Sequence, residues 1–194
     1  MQTEVMLTGI GGQGIQLCAK TLAIGATDEG RQAMLSAHYG GEMRGGQTEA
    51  SVVVGDGPLR ALPILPSTWS AFVMHPNHWA PVRAKLRPGG VVVANATLLG
   101  EDDLGLGSGD ATTFLVPAGD IAAGLGAPMS AGLVLLGAYA AVTGLVGLDA
   151  LTAAMTRLVP PYRSQHIATN EAALRAGHDA VPALAAPAWA EVTA

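Results

Sequence analysis

A glycine-rich turn near the start of the chain places the strongest constraint on its fold. The apolar run 4–8 leads into Gly9-Ile10-Gly11-Gly12-Gln13-Gly14, and a helical pattern covers residues 15–26. Glycines at this spacing let the backbone turn tightly and bring amide groups close to an anion at the start of a helix. This order of strand, loop and helix predicts an α/β fold, in which the loop either contacts a phosphate or is a purely structural turn.

The rest of the chain continues the alternation of strands and helices. Further strands are predicted at 32–36, 48–54, 69–74, 91–93 and 113–116, with a helix at 76–86 that ends at Pro88-Gly89-Gly90. Residues 99–112 are predicted to form a surface loop, and the chain is predicted to be helical from 120 onward. We therefore predict a single Rossmann-like domain over 1–181, with a mostly parallel sheet flanked by helices. An Ala/Pro-rich tail at 182–194 is expected to be extended or poorly ordered.

Charge and cysteine content exclude two classes of function. The net charge is −5, and the ten Lys and Arg residues form no basic stripe, so a nucleic-acid partner is not expected. The single cysteine, Cys18, cannot form an internal disulfide and gives no basis for a Cys-only zinc or iron-sulfur site. Any iron-sulfur clusters would belong to other chains.

Two segments bear on localisation. The N-terminal sequence MQTEVMLTGIGGQG lacks the basic and apolar segments of an export signal, which predicts the cytoplasm. The apolar run 131–148 is about as long as a membrane-spanning helix. Four glycines interrupt this run and no Lys/Arg cluster flanks it, so we predict a buried helix and no contact with a membrane.

The region after the first helix argues against dinucleotide binding of the usual kind. Such a site places an Asp or Glu about twenty residues beyond the glycines, to hold the ribose hydroxyls. This chain has Leu35-Ser36-Ala37-His38 there, with no acid. Glu29, near the end of the first helix, is the remaining candidate for an acid that holds the ribose.

A second glycine-rich segment, Tyr39-Gly40-Gly41-Glu42-Met43-Arg44-Gly45-Gly46, sets an acid and a base among four glycines. Arg44 is suited to bind a phosphate or carboxylate. Alternatively, Glu42 and Arg44 hold the loop against a partner subunit, or the loop is merely solvated and flexible.

The two segments together resemble the gamma subunit or domain of the pyruvate/2-oxoacid:ferredoxin oxidoreductase family. That family typically shows a GxGGQG loop, followed about thirty residues later by a tyrosine, a glutamate and an Arg-Gly-Gly. The resemblance continues through residues 87–95, 133–138 and 170–177, and therefore covers most of the chain. At 128–130 this chain has Pro-Met-Ser where many relatives have Asn-Met, which puts a contact by that asparagine in doubt.

The resemblance implies reversible oxidative decarboxylation of a 2-oxoacid, usually to an acyl-CoA. It implies that thiamine diphosphate, Mg and iron-sulfur clusters lie on partner subunits, which pass electrons to ferredoxin or another acceptor. This chain would hold no cofactor alone and would share coenzyme A as a substrate. The residues implied to line the coenzyme or subunit-contact surface are Gly11, Gly12, Gln13, Gly14, Glu42, Arg44, Gly45 and Gly46. No catalytic or metal-binding residue is assigned.

Two other functions and three smaller signals are weighed against this interpretation. The two alternative functions are a non-catalytic scaffold subunit of the same complex and an independent nucleotide-binding oxidoreductase. Gly55-Asp56-Gly57 is interpreted as a tight turn, and Cys18 as a core side chain. His75-Pro76-Asn77-His78 is interpreted as a helix cap rather than a metal site.

Overall fold

The structure is a computed structural model that describes residues 1–39, 45–59 and 64–189. The strands are β1 (Gln2–Ile10), β2 (Gln32–Tyr39), β3 (Gln47–Gly55), β4 (Thr68–Val73), β5 (Leu86–Asn95) and β6 (Ala111–Val116). The α-helices are α1 (Ile15–Asp28), α2 (Trp79–Arg83), α3 (Glu101–Leu104), α4 (Ala118–Gly124), α5 (Ala131–Thr143), α6 (Leu148–Leu158) and α7 (Ile167–Asp179). Segments of 3-10 helix cover Pro76–His78, Pro128–Ser130 and Pro161–His166.

The described strands form one mixed sheet in the order β2-β3-β1-β4-β5-β6. Strand β3 is antiparallel to both of its neighbours, whereas β1, β4, β5 and β6 pair in parallel. Strand β2 therefore also points the same way as β1. The predicted α/β fold with a mostly parallel sheet is confirmed. The connection after β1 leads to β2 on one side of β1, whereas β4, β5 and β6 follow one another on the other side, which places a topological switch point between β1 and β4.

Each face of the sheet buries a separate apolar cluster, because side chains alternate along a strand. On one face, Leu7 and Phe72 pack with residues of α1 and of the C-terminal helices. On the other, Met6 and Ala71 pack against Trp79 of α2 and the end of α3. The long helices thus cover one face, and short elements close the other.

The apolar run 131–148 is divided between two helices. All of α5 after its first residue is buried, which confirms the prediction of a buried helix. Gly144 ends α5 with a φ of +57°, in the left-handed region that favours glycine. Among the described residues, no helix is both long and apolar enough to cross a bilayer.

Two sequence predictions were wrong, both for segments on the sheet face that the short elements cover. The helix predicted at 76–86 is a 3-10 turn followed by the five-residue α2, and β5 begins already at Leu86. Gly90 does not end a helix; it lets β5 approach the Trp69 carbonyl so closely that a Cβ would collide with it. The predicted loop 99–112 contains α3. Leu104, the last residue of this helix, is buried, and its carbonyl accepts a 2.8 Å hydrogen bond from the Trp79 indole.

The described part of the C-terminal tail contacts the end of α5. The amides of Leu184, Ala186 and Ala188 donate to the carbonyls of Ala141, Val142 and Thr143, at 2.7, 3.0 and 2.7 Å. Carbonyls in the last turn of a helix have no partner within that helix, so these bonds cap α5. The division of the chain at residue 181 stays a prediction.

Candidate functional site

The glycine loop between β1 and α1 lies at the topological switch point. Gly12 and Gly14 have φ values of +99° and +77°, which glycine adopts without strain. No atom of the described residues lies within 4 Å of the position where either would carry a Cβ, so the space beside the loop is open. The first helical bond of α1 runs from the Cys18 amide to the Gly14 carbonyl at 2.9 Å. The preceding amides of α1 therefore lack an acceptor within the helix, and they are suited to an anion.

The side chain of Gln13 fixes this loop to two strands. Its Oε1 accepts a 2.9 Å hydrogen bond from the Ile10 amide, and its Nε2 donates over 3.4 Å to the Met74 carbonyl. A Cβ on Gly9 would come within 2.6 Å of the Gln13 Oε1, so a larger residue there would displace the Gln13 side chain. Gln13 thus joins the end of β1 to the residue that follows β4.

The two glycine-rich segments of the sequence meet at this site. The Gly11 amide donates to the Gly46 carbonyl at 2.9 Å, and a Cβ on Gly11 would lie 3.2 Å from the Gly45 nitrogen. Six of the eight predicted site residues, namely Gly11–Gly14 with Gly45 and Gly46, are therefore brought together. The other two, Glu42 and Arg44, lie outside the described residues.

Polar groups that were not predicted complete the edge of the sheet. Asn95, buried at the end of β5, accepts from the amides of Thr97 and Gly119 through Oδ1, each at 3.3 Å. The Thr97 hydroxyl donates to Asp120 Oδ2 at 3.2 Å. A cavity of about 250 Å³ separates this group from the glycine loop. The only sequence signal for these residues was an asparagine at the end of an apolar strand.

A larger cavity of about 490 Å³ lies on the other side of the loop. The starts of α1, α5 and α7 surround it, together with the connection from α6 to α7. The basic residues that line it are Arg163 and His166, and no Asp or Glu lines it within the described chain. Cys18 lies in its wall, where burial raises the pKa of the thiol to about 12. The interpretation of Cys18 as a core side chain is confirmed.

The remaining acid considered for ribose binding lies at the wrong end of α1. Glu29 accepts from the Gly147 amide at 2.8 Å and pairs with Arg31 at 3.0 Å. A helix of this length places it about 20 Å from the glycine loop. Glu29 therefore cannot hold a ribose whose phosphates contact the loop.

The two discounted polar motifs have local roles. His75 caps the following 3-10 turn, because its Nδ1 accepts from the Asn77 amide at 3.2 Å. Burial, and then the nearby His78, lower the pKa of His75. Asp56 pairs with the N-terminal ammonium group, which lowers the pKa of the carboxyl.

The chain is similar in sequence and length to subunits of 2-oxoacid oxidoreductases, and similar in fold to a solved structure. The 2-oxoglutarate synthase subunit KorC of Methanocaldococcus jannaschii is 28% identical over 162 residues, which cover 82% of this chain and 85% of the relative. The common gamma subunit of the pyruvate/ketoisovalerate oxidoreductases of Thermococcus kodakarensis is 32% identical, over 78% of this chain and 84% of the relative. The crystal structure of the keto/oxoacid ferredoxin oxidoreductase gamma subunit from Geobacter sulfurreducens superimposes with a TM-score of 0.77 at 26% identity. It covers 93% of this chain and 96% of that one.

The family profile described as pyruvate ferredoxin/flavodoxin oxidoreductase matches residues 4–180. The match spans every strand and α-helix from α1 to α7, together with most of β1 and the glycine loop. The resemblance inferred from the two motifs is thereby confirmed. The chain belongs to the pyruvate ferredoxin/flavodoxin oxidoreductase family.

Proposed function

We propose that this chain is the gamma-type subunit of a cytoplasmic, multi-subunit 2-oxoacid:ferredoxin-type oxidoreductase. Partner subunits would carry thiamine diphosphate, Mg and iron-sulfur clusters, decarboxylate the 2-oxoacid and pass electrons to ferredoxin or another acceptor. The named relatives support this assignment, because they are subunits of 2-oxoglutarate, pyruvate and ketoisovalerate oxidoreductases of similar length. The isolated chain is expected to show no turnover.

The chain's own contribution, in this proposal, is to position coenzyme A and to provide an assembly surface. The hydrogen bond between Gly11 and Gly46 carries the argument, because it makes one site of the two glycine motifs. Coenzyme A carries phosphate groups, which suit the free amides at the start of α1. The open space beside Gly12 and Gly14 leaves room for such a group.

Arg44 gives the direct test of coenzyme A positioning. In the assembled complex, Arg44→Ala should raise the KM for coenzyme A several-fold and leave the KM for the 2-oxoacid unchanged. Arg175→Ala is the matched control, since Arg175 is an exposed cation on α7 that lines neither cavity beside the glycine loop. An unchanged KM for coenzyme A in the Arg44 variant would instead favour a scaffold subunit that contributes only protein contacts.

A further inference from the structure

A buried hydrogen bond joins α5 to the sheet. Tyr139 and Thr143 are the residues of α5 that have a polar side chain. The Thr143 hydroxyl donates to the Tyr139 carbonyl at 2.7 Å, within the helix. The Tyr139 hydroxyl lies 2.8 Å from the Ser70 hydroxyl on β4, and both side chains are fully buried. Within the part of the chain that the structure describes, no other side chain of α5 hydrogen-bonds to a strand.

This bond has a defined direction. The Ser70 hydroxyl donates its single proton to the Glu4 carbonyl of β1 at 3.0 Å. Tyr139 is therefore the donor to Ser70, and the three groups form a chain of hydrogen bonds from α5 through β4 to β1. Such a chain forms at one alignment of helix and strand, because sliding the helix would leave the buried phenol hydroxyl without a partner. The apolar contacts around it are not directional.

The same two elements, α5 and β4, also meet at the glycine loop. Gly132 lies seven residues before Tyr139, about two turns along the same face of α5. A Cβ on Gly132 would collide with the Gln13 carbonyl. Met74 lies four residues after Ser70, and its carbonyl accepts from the Gln13 side chain at 3.4 Å. The position of α5 along β4 thus decides whether Gly132 and Met74 reach Gln13 together.

We infer that Tyr139 is a positioning residue for the glycine loop. Its hydrogen bond to Ser70 fixes α5 along β4, so that Gly132 packs against Gln13 and the loop keeps its shape. The close packing at Gly137 cannot have this role, because it joins α5 to another helix, α7. The effect on the loop is a property of this chain alone, whereas its consequence for coenzyme A rests on the proposed function.

Tyr139→Phe tests the bond, because it removes one oxygen atom and keeps the ring. The buried Cys18 is the only cysteine of the chain, and its sulfur lies 3.2 Å from the position of a Cβ on Gly132. Its thiol therefore reports whether the start of α5 leaves the loop. In the full chain, a small disulfide reagent should label Cys18 about three to ten times faster in Tyr139→Phe than in the wild type, as expected for one lost hydrogen bond. The increase should depend little on low concentrations of urea, because the opening is local.

Thr143→Val is the matched control, because it removes the other buried hydroxyl of α5 and leaves the bond to Ser70 in place. Its labelling should rise only through global unfolding, which depends steeply on urea. Ser70→Ala removes the same bond from the strand, so the double variant with Tyr139→Phe should react no faster than the faster single variant. Wild-type labelling in Tyr139→Phe, an equal increase in Thr143→Val, or single effects that multiply in the double variant would each overturn the inference.

A second measurement, in the assembled complex, separates this inference from the proposed function. Tyr139→Phe should raise the KM for coenzyme A several-fold and leave kcat and the KM for the 2-oxoacid unchanged. Faster labelling of Cys18 with an unchanged KM for coenzyme A would support the positioning role and count against coenzyme A at the loop. Unchanged labelling, together with a raised KM for coenzyme A in Arg44→Ala, would overturn the positioning role and leave the proposed function standing.

Discussion

Gly132, in the first turn of α5, lies against the backbone of Gln13. A Cβ on Gly132 would come within 2.6 Å of the Gln13 carbonyl oxygen and 3.2 Å of the Cys18 sulfur. The start of α5 therefore packs directly against the glycine loop, through a contact that only glycine permits. The loop owes its position to a residue more than a hundred positions away in the sequence.

Replacing Gly132 by Ala should destabilise the chain and disturb the loop. We expect the free energy of unfolding to fall by about 1–3 kcal/mol, as for other overpacked sites. Urea denaturation of the full chain measures this change. Gly124→Ala at the end of α4 is the control, because no described atom lies within 4 Å of its Cβ position. Equal stabilities of the two variants would contradict the contact.

Gln13→Glu should separate the structural and binding roles of the loop. The glutamate keeps an oxygen that accepts from the Ile10 amide, but it loses the long hydrogen bond to the Met74 carbonyl and adds a negative charge at the start of α1. We expect a KM for coenzyme A that is raised about tenfold in the assembled complex, with an effect that shrinks as salt is added. Gln165→Glu, on an exposed residue of the 161–166 turn, controls for the charge alone. Equal effects of both variants would argue against an anion at the loop.

Local sequence patterns predicted the strand, loop and helix unit that carries the site. The prediction was correct for this unit because its strand, glycine loop and helix are adjacent in the sequence, so that each is indicated by its own local pattern. The contribution of Asn95 and Thr97 could not be predicted in the same way, because it depends on which strands are neighbours in the sheet. The antiparallel β3 also escaped prediction, since an apolar strand has the same pattern in either direction.

Gly90 shows why the helix before β5 was predicted too long. Pro88-Gly89-Gly90 resembles a helix terminator, and sequence alone does not distinguish that role from close pairing between strands. In the structure, Gly90 pairs with Ala111 and lies against the Trp69 carbonyl. Position 90 requires glycine because the neighbouring strand β4 lies so close to it, and not because a helix ends there.

Gly177→Ala should be more damaging than Gly132→Ala. A Cβ on Gly177 would overlap the Val134 carbonyl, and one on Gly137 would overlap the Leu174 carbonyl, so α5 and α7 pack backbone to backbone. Carbonyls cannot rotate away as side chains do, and we expect a loss of about 3 kcal/mol or more. Urea denaturation again gives the comparison. The double variant Gly137→Ala, Gly177→Ala should cost less than the sum of the single ones, because either change separates the helices. Full additivity would show that the two contacts are independent.

Stability should fall as the pH rises above 9, in part because of Cys18. Burial raises the pKa of this thiol from 9.0 to about 12, so between these values the folded chain retains a proton that the unfolded chain loses. A group of this kind stabilises the fold below its unfolded pKa, and the stabilisation is lost toward pH 12, by up to about 1.4 kcal/mol per pH unit.

The variant Cys18→Ala isolates this contribution. Burial also raises the pKa of Tyr139, and that residue is present in both proteins. Between pH 9 and 10.5, the free energy of unfolding should therefore decline more steeply in the wild-type chain than in Cys18→Ala. Parallel declines would mean that the thiol does not titrate differently in the two states.

The C-terminal tail should stabilise the chain through Trp189. Its ring lies 4.4 Å from the Arg31 guanidinium, which also donates to the Leu145 carbonyl just beyond α5. Trp189→Ala removes the cation–π contact and weakens the hold on the amides that cap α5, so we expect a loss of about 2 kcal/mol. Trp189→Phe retains an aromatic face and should lose less than half of this amount. Hydrogen exchange supplies a second measurement: the amides of Leu184, Ala186 and Ala188 should exchange faster in Trp189→Ala, and unchanged protection there would show that the ring does not hold the tail in place.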